Sequence, residues 1–68
     1  MNLHLTASQL ELGDEIANAD SLVVTGKIED ARGQGTWIYY GIYSPSLGGY
    51  ASYDASLLPT GETLEVIR

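Results

Sequence analysis

Thr36-Trp37-Ile38-Tyr39-Tyr40-Gly41-Ile42-Tyr43 is the stretch that decides the fold. Apart from Gly41 it consists of β-branched and aromatic residues, which pack well on a pleated surface and lose rotamer freedom in a helix. An extended chain sends successive side chains to opposite faces. Ile38, Tyr40 and Ile42 therefore share one face, and Trp37, Tyr39 and Tyr43 the other, unless a bulge near Gly41 changes the phase.

On the N-terminal side of this strand, Ala31-Arg32-Gly33-Gln34-Gly35 reads as a hairpin loop. Ser21 to Asp30 is the strand before it, with Leu22, Val24 and Ile28 inward and Val23, Thr25, Lys27 and Glu29 outward. Gly26 interrupts the inward row, as a glycine does where a strand bends or bulges. On the C-terminal side, Ser44-Pro45-Ser46-Leu47-Gly48-Gly49 is a connection of turn formers. Tyr50 to Asp54 is the next strand, Pro59-Thr60-Gly61-Glu62 a tight turn, and Thr63 to Ile67 a last strand with Leu64 and Val66 inward.

The chain opens with an alternating strand, Asn2 to Thr6, that places Leu3 and Leu5 together. Ala7 to Leu12 then reads as a single turn of helix or a 3₁₀ turn capped by Ser8 on the Glu11 amide, with Leu10 and Leu12 plugging one end of a sheet. Gly13-Asp14 ends the turn, Glu15-Ile16 is extended again, and Asn18-Ala19-Asp20 is a loop. The whole predicts one mostly all-β domain over residues 1–68: a small SH3-like antiparallel barrel or a twisted sheet, with one short helical turn. Its expected core is Leu22, Val24, Ile28, Ile38, Ile42, Leu64 and Val66.

Composition narrows the functional classes. The chain has 68 residues, 44% of them hydrophobic, and no cysteine. Such a chain is near the lower limit for folding unaided, and it has no disulfide or thiolate metal site to add stability. Its net charge is −6, with Lys27, Arg32 and Arg68 as the only basic residues. That balance disfavours nucleic acid, whose binding depends on Lys and Arg displacing counterions, and disfavours anionic membranes as well. Met1 to Thr6 lacks the basic and apolar pattern of a signal peptide, and no apolar run approaches the ~20 residues of a membrane span. A cytoplasmic location is the resulting expectation.

Leu5-Thr6-Ala7-Ser8-Gln9-Leu10-Glu11-Leu12-Gly13-Asp14-Glu15-Ile16 resembles the opening of many small β-rich bacterial and phage proteins: a strand, an Ala-Ser-x-Leu turn, then Gly-Asp-x-Ile. The ending, Tyr53-Asp54-Ala55 and Leu64-Glu65-Val66-Ile67-Arg68, is similar in style to small proteins of actinobacterial phages. The resemblance implies an origin and an architecture, not a reaction.

No pattern in the chain carries catalysis. His4 is the only histidine, and Ser8, Ser21, Asp14 and Asp20 stand in no triad-like motif with it. Asp14-Glu15 and Glu29-Asp30 lack the oxygen-ligand spacing of a calcium loop. Gly33-Gln34-Gly35 and Gly48-Gly49 lead into no helix and lack the Lys and Ser/Thr of a phosphate loop. The expectation is no catalytic residue, no metal and no cofactor.

What stands out is aromatic crowding. Trp37, Tyr39, Tyr40, Tyr43, Tyr50 and Tyr53 are all the aromatic residues of the chain. In one reading they fill both faces of a small sheet. In the other, Trp37, Tyr39, Tyr43 and Tyr53 form a partner-binding surface, since Trp and Tyr dominate interfaces. The leading functional expectation is a non-enzymatic protein-interaction module, such as a phage-encoded effector that binds a host or phage protein. An acidic decoy of nucleic acid and a tyrosine-lined small-molecule pocket between subunits are the alternatives. The inward residues are too few to hide all the aromatics as well. This predicts a homo-oligomer, with Thr36 to Tyr43 as an unpaired edge that invites a second copy.

Overall fold

The computed structural model describes residues 1–19 and 21–68, so Asp20 of the predicted loop lies outside the described residues. Six strands form a single sheet: β1 (Asn2–Leu5), β2 (Glu15–Ile16), β3 (Val23–Glu29), β4 (Gly35–Ser44), β5 (Gly49–Pro59) and β6 (Leu64–Ile67). All neighbouring pairs are antiparallel, in the order β1-β6-β2-β3-β4-β5. The fold is all-β, as the alternation requires. Among the described residues the one helical element is a 3₁₀ turn at Pro45–Leu47, closed by Gly48 in the left-handed region at φ 74°.

β3, β4 and β5 form a meander of hairpins. The last strand does not continue it. From the β5 edge the chain turns at Pro59 to Glu62, where the Glu62 amide donates to the Pro59 carbonyl at 3.1 Å, and inserts β6 between β1 and β2. So short a connection can join an edge to the far half of the sheet only if the sheet is curled. The core confirms the curl, because Leu3 and Leu5 of β1 and Leu58 of β5 pack on the same cluster.

That cluster is Leu10, Val24, Ile38 and Val66, each at most 2% exposed. Ile16, Tyr40 and Leu64 pack around it. Leu10 plugs the curled sheet as expected, whereas Leu12 is exposed. The turn that carries Leu10 is built differently from the predicted cap. The Gln9 and Leu10 amides both donate to the Thr6 carbonyl, the Thr6 amide donates to Gln9 Oε1, and the Glu11 amide goes to Asp14 Oδ2 and not to Ser8. Lys27, predicted outward, reaches across to donate from Nζ to the Ala7 and Leu10 carbonyls at 2.8 and 2.7 Å.

Two irregularities set the faces. The β3–β4 register shifts between Val24 and Gly26, leaving Thr25 as the extra residue. Val24 stands opposite Tyr40 on the core side, but beyond the bulge the phase reverses, so Lys27 faces Ile38 and Ile28 faces Trp37. Ile28 is accordingly 57% exposed, a correction to the predicted core. Leu22 and Ile42, also expected inside, are only half-buried. The second irregularity lies between Tyr40 and Gly41, where Tyr53 of β5 has no partner on β4. Because the extra residue belongs to β5, the alternation of β4 itself runs on unbroken.

β4 is an interior strand, paired with β3 on one side and β5 on the other. The expected unpaired edge at Thr36 to Tyr43 is therefore incorrect; the edges are β1 and β5. β5 is also longer than the predicted Tyr50 to Asp54, because Ala55, Leu57 and Leu58 continue its pairing to Pro59.

Arg68 pins the two ends of the chain together through ion pairs to Asp14 and, at 3.4 Å, to Glu11. Asp14, 8% exposed, receives Nε and a terminal nitrogen of Arg68 at 2.9 and 2.8 Å. The hydrogen bond from Arg68 holds the Asp14 carboxyl below its ordinary pKa, against the opposing effect of burial. A carboxylate whose folded value is depressed contributes stability that is complete above the unfolded value, about 3.9, and is lost as pH falls through the folded one. The melting temperature is expected to stay level from neutral pH to about pH 5 and to fall below about pH 4. Asp14→Asn should cost about 1–3 kcal/mol at pH 7, with a shallower acid decline. Thermal melts across pH test this, and parallel curves for the two proteins would refute it.

Candidate functional site

Residues paired across antiparallel strands share a face. With Ile38 and Tyr40 of β4 on the core, Trp37, Tyr39 and Tyr43 stand on the opposite, outer face. Register assigns their neighbours. Ile28 of β3 and Leu57 of β5 flank Trp37; Gly26 and Ala55 flank Tyr39; Tyr50 lies beside Tyr43. The outer face of β3, β4 and β5 thus carries an Ile28–Trp37–Leu57 row at one end and a tyrosine pair at the other.

Exposure grades along this face. Trp37 is 37% exposed and Tyr39 half-buried, each sheltered by neighbours on both sides. Tyr43 is more open and meets Tyr50 edge to face, with ring centroids 5.3 Å apart. Such a pair is worth about 0.5–1.5 kcal/mol beyond the area it buries. Tyr53, the unpaired residue of the bulge, is 67% exposed. The structure therefore brings Trp37, Tyr39 and Tyr43 onto one face as expected and sets Tyr53 at the adjacent irregularity. Tyr40 belongs to the core side, where its hydroxyl and that of Ser56 are 2.8 Å apart.

Some polar atoms of the face are paired within the chain, whereas the Tyr39, Tyr43 and Tyr50 hydroxyls have no partner among the described residues. Trp37 Nε1 donates to Asp30 Oδ1 at 3.1 Å, and the other oxygen of Asp30 accepts the Arg32 and Gln34 amides, which fixes the β3–β4 loop. Thr25 Oγ1 and Ser52 Oγ are 2.7 Å apart. The sequence carries a further signal that aromatic counting alone passes over: Gly33 to Tyr53 contains no charged residue, in a chain of net charge −6. Every aromatic side chain falls inside that stretch.

Ile28 and Leu57 were not among the expected site residues. Simple alternation puts Ile28 in the core, and only the bulge at Thr25 turns it out beside Trp37. The C-terminal part of β5, where Leu57 lies, carried no clear strand pattern.

Elsewhere the surface has a cleft of about 330 Å³ between the turn at Thr6 to Ser8 and the opposing Glu29, Thr36 and Leu58 to Gly61, and beside it a second of about 260 Å³ that Lys27 also lines. No aromatic residue lines either cleft. His4 is exposed on β1 opposite Glu65. Among the described residues no group of three or more His, Asp or Glu side chains is placed to hold a metal ion, and no helix is long and apolar enough to cross a membrane. Compared with protein-family models, curated proteins and solved structures, the chain matches none.

Proposed function

We propose that the protein is a non-enzymatic interaction module that binds another protein through the outer face of β3, β4 and β5. The observation that carries the reading is the composition of that face: Ile28, Trp37, Tyr39 and Tyr43 lie together, exposed or half-buried, with no charge between Gly33 and Tyr53. Large apolar side chains gathered on one solvated face are uncommon in monomers and are typical of the centres of interfaces. Trp and Tyr also give much contact area for little rotamer entropy. The resemblance of the opening to small proteins of actinobacterial phages makes a host or phage protein the partner class, with the protein acting as an effector in the host cytoplasm.

The test is affinity capture from the producing cell, using the wild type and a Trp37→Ala/Tyr39→Ala double variant whose circular dichroism matches it. A protein held by the wild type and lost at least about tenfold with the variant supports the reading, since central aromatic anchors each cost 1.4 kcal/mol or more when truncated. Equal capture by both would place the binding surface elsewhere.

A further inference from the structure

We infer that the first occupant of the outer face is a second copy of the same chain, packed face to face about a two-fold axis near Trp37. This rests on reading the face as an interface, and it names the partner.

Charge is the first argument. The two basic residues nearest the face, Lys27 and Arg32, lie outside its charge-free stretch, and Lys27 is committed to the Ala7 and Leu10 carbonyls. Glu29 and Asp54 pair with Thr36 and Tyr40, residues of the opposite parity to Trp37. The one carboxylate beside the face, Asp30, is held by Trp37 and its own loop. Apart from Arg32 in the β3–β4 loop, a partner selected by charge finds nothing to pair with, and would strand its own charges on an uncharged surface. A second copy brings the same uncharged surface and keeps its net charge of −6 away from the contact.

Polar satisfaction is the second argument. Closing a dry interface over this face strands neither the Trp37 indole N–H nor the Thr25 and Ser52 hydroxyls, because each is paired within the chain. The Tyr39, Tyr43 and Tyr50 hydroxyls, without a partner among the described residues, meet in a second copy the same hydroxyls, which both donate and accept.

The β5 edge, which borders the face, is closed to the competing geometry. On β5 the Asp54 carboxylate takes the Ala55 amide at 2.8 Å, and Pro59 has no amide proton to offer. Charged and proline residues placed this way block strand addition. Association at β5 thus uses the face and not the strand edge. Three strands about 4.8 Å apart and about 30 Å long present on the order of 500 Å² per copy. Two such faces bury on the order of 1,000 Å², the lower end for a specific interface, which points to a micromolar dimer.

The decisive experiment is sedimentation of the purified protein alone over a concentration series, at about 0.05 and 0.5 M salt, a range that screens surface charge. The wild type should pass from 7.3 kDa to twice that mass, more readily at high salt. Ile28→Asp, at a 57% exposed position, should keep the fold by circular dichroism and weaken the dimer by about 100-fold. Leu47→Asp adds the same charge at the exposed hairpin tip and should leave the dimer within about threefold. A single 7.3 kDa species throughout, a dimer that dissociates with salt, or equal loss in both variants would overturn the inference. A monomeric wild type that still captures a different protein in a Trp37-dependent way removes the second copy and leaves the interaction module standing.

Discussion

Truncating Ile38 to Ala is expected to lower stability by about 2–5 kcal/mol, enough to unfold much of the population in a domain this small. Ile38 is 2% exposed and sits among Leu10, Val24 and Val66, so the lost side chain leaves a cavity that two neighbouring strands and a plug residue cannot all collapse to fill. The matched change Ile28→Ala should stay within about 0.5 kcal/mol, because Ile28 is 57% exposed on the outer face. Urea unfolding of the two variants makes the comparison. Equal losses would mean that the bulge at Thr25 does not reverse the phase of β3 and that the outer face is misassigned.

Gly41→Ala is expected to be the second most damaging single change, at about 1–3 kcal/mol or more. Gly41 is buried where the extra residue of β5 forces the two backbones together, and a Cβ there would run into the Ala51 carbonyl and the Ser52 Cα. The obstacle is backbone on a paired strand, which cannot rotate aside as a side chain would. Gly49→Ala is the control, since a Cβ at Gly49 meets nothing within 4 Å and its φ is not left-handed. Thermal melts should separate the two clearly. A well-tolerated Gly41→Ala would show that β5 is not pressed against β4 at this point.

Both predictions depend on bulges, and the bulges mark where the sequence stopped being readable. The interior face of β4 and the inward residues of β6 follow from alternation, and Ile38, Leu64 and Val66 all pack where that rule puts them. The grouping of Trp37, Tyr39 and Tyr43 follows from the same rule, because β4 contains no extra residue of its own. On β3 the rule holds up to Val24 and fails after it. Gly26 signalled a break, but a glycine tells neither which residue is extruded nor on which strand. Lys27 and Ile28 consequently exchanged faces.

What the amino-acid sequence determined by itself was the local part: extended strands from β-branched and aromatic runs, turns from Gly and Pro clusters, Leu10 as a plug, and an uncharged aromatic segment in an acidic chain. These follow from backbone sterics, side-chain period and solvation, which act over a few residues. Tertiary structure alone decided that β6 enters between β1 and β2, that β4 is interior while β5 is the edge, and that Asp14 meets Arg68 across the chain. It also built the outer face from three strands, setting Ile28 and Leu57 beside Trp37. Strand order and register depend on how the curled sheet closes over one small core. That closure is a balance of burial among distant segments, and no local pattern encodes it.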